Sequence, residues 1–150
     1  MATPTNLPAA QTTGNVLTAA YMNDLRGAFR VLQVVMGFHA TLASSTSATY
    51  ADSGLTATIT PQSNTNKILV LVNQSVYTDA TGQDINNRLV RDSTTLQTSL
   101  ATINIGTGTY VVHVLDAPAS TSALTYKTQF ARGSGSGTVY TQPNSNVGNI

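Results

Sequence analysis

The feature that most constrains this chain is a change of hydrophobic period near residue 37. From Phe38 onward the apolar positions recur every second residue. Phe38, Ala40 and Leu42 alternate with His39 and Thr41, and Leu55, Ala57 and Ile59 alternate with Thr56, Thr58 and Thr60. A period of two puts successive side chains on opposite faces of a pleated strand, so residues 38–150 are predicted to form a β-domain. Pro61 cannot donate to a ladder and ends the second of these strands.

The same reading continues along the chain. Ile68 to Val72 is an unbroken apolar run behind Lys67, which predicts a strand covered on both faces. Asp79 to Asp84, with Gly82 inside it, predicts a hairpin turn. Strands are expected over Ile85 to Val90, Thr95 to Ile105, Tyr110 to Leu115 and Leu124 to Phe130, with Gly106 and Gly108 in a turn. Gly133 to Gly137 is expected to be a flexible loop ahead of Val139 and Tyr140. Short strands at this spacing, with no helical stretch between them, predict a mainly β fold: an antiparallel β-sandwich or jelly roll.

Upstream the pattern differs. Residues 1–15 carry Pro4, Pro8 and Gly14 among small polar residues and are expected to be an extended arm. Residues 16–37 are expected to be one α-helix, with Thr18 as its cap and Gly37 as its stop. Met22, Leu25, Phe29, Leu32 and Met36 fall at alternating three- and four-residue steps, the spacing of a coiled-coil seam about two heptads long. These five residues are the candidate assembly interface, with an intramolecular core helix as the alternative. Gly27 costs roughly 1 kcal/mol at mid-helix, so the helix needs partners to persist.

Composition narrows the function classes. The chain has 150 residues, six acidic side chains, all aspartate, and seven basic ones, so only 9% of residues are charged. Ser, Thr, Asn and Gln fill the surface instead, and the low charge removes the repulsion that keeps identical copies apart. A net charge of +1 without a basic run argues against nucleic acid as a partner. No window approaches the ~18 apolar residues of a membrane span. With no cysteine there is neither a disulfide framework nor a thiolate site.

No catalytic or metal-binding set stands out, and no cofactor is expected. His39 and His113 are the only histidines, and neither has a second ligand at metal spacing. His113, Asp116 and a serine compose a hydrolase triad only on paper. Arg132 to Gly137 lacks the Lys-Ser/Thr ending of a phosphate loop. Tyr50, Tyr77, Tyr110, Tyr126 and Tyr140 are a candidate glycan-stacking set, although tyrosine is also an ordinary strand residue.

Several segments, taken in order, resemble virion proteins of tailed phages, cyanophages in particular. Ser47 to Pro61 is similar to a stretch in which a serine-rich segment, an aromatic, a small Asp-x-Gly-Leu turn and a Thr-Pro end precede the strand. Asn66 to Val72 resembles the Lys-Ile-Leu-Val strand that follows there, and Arg88 to Thr95 its Leu-x-Arg-x-Ser/Thr strand and turn. Leu115 to Thr121 resembles its Leu-Asp-x-Pro connection, and Gly14 to Leu25 is similar to openings of phage tail proteins. The resemblance covers about two thirds of the chain. It implies a non-enzymatic, homotrimeric jelly-roll head in the virion, as a short tail fibre or tail-associated protein. The alternatives are a capsid decoration protein, or a module binding a host glycan or receptor. Expected partners are further copies of the chain and other phage structural proteins. Such proteins close with a further strand after an asparagine-rich turn. Here Gly148-Asn149-Ile150 follows that turn, so the last strand is expected to be absent or supplied by a neighbour.

Overall fold

The computed structural model describes residues 31–103, 105–143 and 148–149. The described part is mainly β: two antiparallel sheets face each other across one core. Their strands are β1 (Phe38–His39), β2 (Ala43–Ser45), β3 (Ala51–Ile59), β4 (Ile68–Thr78) and β5 (Gln83–Arg91). They continue with β6 (Thr94–Ile103), β7 (Gly106–Asp116), β8 (Leu124–Arg132), β9 (Val139–Thr141) and β10 (Gly148–Asn149).

Sheet A is organised around β4. Strand β7 pairs with it along its full length, from Ile68↔Asp116 to Thr78↔Gly106. On the other side β10 meets β4 at Asn73 and β9 meets it over Val76 to Thr78. Beyond these, β1 pairs with β10 and β2 with β9. Sheet B has the order β3-β8-β5-β6. The chain therefore passes from sheet A to B at β3, back at β4, and to B again for the β5–β6 hairpin. It then returns to A at β7, crosses to B at β8 and ends in A.

The alternation that defines the strands also builds the core. Leu55, Val70, Val72, Ile85, Leu89 and Phe130 point between the sheets and are almost fully buried. Each such side chain contributes on the order of 1.5–3 kcal/mol when removed from water. Polar residues share the interior: Gln74, Gln83, Asn87, Thr78 and Thr128 are buried too. Ser53 and Thr128 satisfy each other through their hydroxyls, 2.5 Å apart.

Several expectations change in detail. The Asp-x-Gly-Leu segment is not a turn before a strand but lies inside β3, where the pairing with β8 shifts register between Asp52 and Thr56. Gly54 has φ +88, and its missing Cβ makes room for the His39 ring. Gly106 and Gly108 belong to β7, and the chain reverses before them, where Ile105 has φ 39. The Gly133 to Gly137 loop is tied down. Gly133 N–H donates to the Asp84 carbonyl at 2.8 Å, and Gly137 N–H donates to Gln83 Oε1 at 2.8 Å. The strand expected to be absent or supplied by a neighbour is present in the same chain as β10.

The arm over 1–15 and residues 16–30 of the expected helix lie outside the described residues. Over 31–37 the backbone forms no helix. Val31, Val34 and Val35 lose rotamer freedom in a helix, and a short helix without a packing partner is marginal.

Candidate functional site: the outer face of sheet A

Strand β4 was expected to be covered on both faces, and it is covered on one. Val70 and Val72 enter the core, whereas Leu69 and Leu71 are each 61% exposed. The register sets them beside the outward residues of β7: Leu69 faces Leu115, Leu71 faces His113, and Asn73 faces Val111. Val111 and Leu115 are exposed to a similar extent. Four large apolar side chains thus stand together on water-facing sheet. At roughly 100 Å² each they approach the largest apolar patch that an ordinary monomer shows.

Farther along the same face, Tyr77 pairs with Tyr140 of β9, ring centroids 5.5 Å apart. With Leu42 and Pro143 they line an open hollow of about 290 Å³. The outward positions of β4 and β7 carry no Asp, Lys or Arg. Lys67, one residue before β4, stands at one margin, and Asp79, one residue after it, at the other, where its carboxylate accepts from Tyr140 Oη at 3.2 Å.

Sheet B contrasts with this. Its outer surface carries Asp52, which accepts from Lys127 Nζ at 2.9 Å and from Gln129. Gln129 Oε1 accepts from Arg88 Nε at 2.7 Å, and the Arg88 guanidinium lies 4.0 Å over the Tyr50 ring. The Asp52 carboxyl is held below its usual range: partial burial opposes this, and the bonds from Gln129 and Lys127 outweigh it. Charge is thus concentrated on one face of the domain, and apolar surface on the other.

The expected site residues fall as follows. Met22, Leu25 and Phe29 lie outside the described residues. Leu32 is half-buried and Met36 is exposed, both in the irregular 31–37 segment. That segment leads directly into Phe38, which is exposed on β1. The tyrosines do not form one surface, since Tyr110 and Tyr126 are in the core and Tyr50 lies under Arg88. Only Tyr77 and Tyr140 meet. His113 and Asp116 point to opposite faces of β7, so they do not share a triad.

Asp116 has another role, which its sequence context does not signal. Its carboxylate accepts from Arg91 Nη1 of β5, at 2.6 and 2.7 Å, and from Tyr126 Oη of β8 at 2.6 Å. This clamp joins sheet A to sheet B. The hydrogen bond to Asp116 raises Arg91 further above its already high pKa. Burial, followed by the bond to Asp116, raises the Tyr126 phenol.

Among the described residues no group of three or more His, Cys, Asp or Glu could hold a metal ion. No helix there is long and apolar enough to cross a membrane. The chain matches no family model and no curated protein.

Proposed function

We propose that the chain is a structural subunit of a tailed-phage particle, a homotrimeric short tail fibre or tail-associated protein that works by assembly. The observation that carries this reading is the charge-free apolar face of β4 and β7 on a domain whose other face is charged. Burying such a face between copies adds hydrophobic free energy without leaving charges unpaired.

Two further features support it. Counting β1 with β2 and β9 with β10, the domain has two four-stranded layers between which the chain crosses repeatedly, which supports a jelly-roll reading. Among the described residues β6 and β7 are edge strands, 10 and 11 residues long, and their only charge is Asp116 at the end of β7. Long uncharged edges invite pairing or coverage by another chain. A capsid decoration protein is the second reading, favoured by the scattering of the tyrosines, which leaves no broad aromatic receptor surface.

The test is the mass of the full chain in solution by multi-angle light scattering. The expected result is three times the 15.6 kDa chain mass. A monomer at all concentrations would overturn assembly as the function.

A further inference from the structure

We infer that the outer face of sheet A docks a second copy of this chain, and that His113 makes the contact acid-labile. This rests on the assembly proposed above and names the surface and its regulation.

The choice of occupant follows from charge. A partner with an ordinary charged surface would bury its charges against a face with nothing to pair them. Another copy supplies a suitable surface: its own β4–β7 face, continuous with the β6–β7 turn, where Ile105 is 56% exposed. It is also present wherever this chain is made.

Within that face His113 is the one histidine. It stands opposite Leu71, between Val111 and Leu115 on its own strand, with Leu69 and Asn73 diagonal to it on β4. Among the described residues β4 is the only strand paired with β7, and β4 directs no carboxylate toward His113. The nearby hairpin strand β6 carries no charged residue. Lys67, before β4, is a cation and offers an imidazolium no stabilisation. Asp116 lies on the other face of β7, engaged by Arg91 and Tyr126.

A neutral imidazole suits such a contact, whereas an imidazolium would be buried without an anion. Lowering the pH therefore charges the separated chains and weakens their association. Excluding that charge from the contact corresponds to about tenfold weaker association per buried histidine.

The experiment measures the association constant of the full chain by analytical ultracentrifugation at pH 7.5 and pH 5.5. Wild type, His113→Gln, His39→Gln and Leu71→Asp are compared, with circular dichroism to verify folding. The expected results are tenfold or greater loosening of wild type and of His39→Gln at pH 5.5, and none for His113→Gln. Folded Leu71→Asp should stay monomeric at both values. Assembly that ignores Leu71→Asp would overturn the docking face, and His113→Gln loosening as much as wild type would overturn the histidine's role. A wild-type monomer at both values would overturn the proposed assembly itself.

Discussion

Arg91, Asp116 and Tyr126 come from three strands in two sheets, and their hydrogen bonds are shorter than 3 Å. Removing the anion leaves a partly buried guanidinium and the Tyr126 hydroxyl without their acceptor, so Asp116→Ala should lower stability by about 1–3 kcal/mol in urea unfolding. An unchanged midpoint would mean that solvent already screens the pair. Tyrosines set the alkaline limit. Burial pushes the Tyr110 phenol up to about 12, with Tyr50 adding to the effect. Between pH 10 and 12 the unfolded chain has lost this proton while the folded chain keeps it. Stability is therefore intact below pH 10 and falls as pH rises toward 12. Thermal melts of Tyr110→Phe should show a shallower decline over that window. None of these roles was legible in the sequence. Asp116 sits in a Leu-Asp-x-Pro segment like any loop aspartate, and its partners lie 10 and 25 residues away.

Elements were more legible than contacts, because the period of two is a local property. The strands around Leu55, Ile85, Tyr126 and Val139 were expected close to where they lie, and β1 begins at Phe38, where the period changes. Errors arose where residue type misled. β4 runs on to Thr78, beyond its apolar stretch, because Gln74 and Thr78 replace aliphatic residues on the inner face. Its apolar run suggested cover on both sides, and hydropathy alone does not say whether the second cover comes from the same chain. The bulge in β3 was hidden because an Asp-x-Gly segment usually marks a turn. There Gly54 combines φ +88 with a position where an added Cβ would sit 2.3 Å from the His39 ring. Gly54→Ala should therefore cost about 2 kcal/mol or more, measured by denaturant unfolding. A neutral effect would show that His39 can swing away and the bulge can relax.

For the whole molecule the unequal distribution of charge is the main fact. The scarcity of charge was legible in the composition, but not that Asp52, Lys127 and Arg88 would gather on one sheet while β4 and β7 carried none outward. If subunits meet through the uncharged face, association should be insensitive to salt. Light scattering between 50 mM and 1 M sodium chloride, over which the screening length falls to about 3 Å, should show constant or slightly higher mass. Dissociation at high salt would place the contact on the charged face of sheet B instead.

The last of the described strands, β9 and β10, do not lie at the rim of sheet A but between β4 and the first described strands, β1 and β2. Phe38 must wait for Asn149, more than a hundred residues later, before its ladder can form. Pairings this distant in sequence make folding slow. They also make it a matter of timing. During synthesis the beginning of the domain has no place to settle until β10 leaves the ribosome. Sheet A, and with it the full surface reaching from Leu69 to Tyr140, is completed only once β10 has been made. A truncated product would lack the middle of that sheet, and so would be a poor recruit for any assembly built from whole ones.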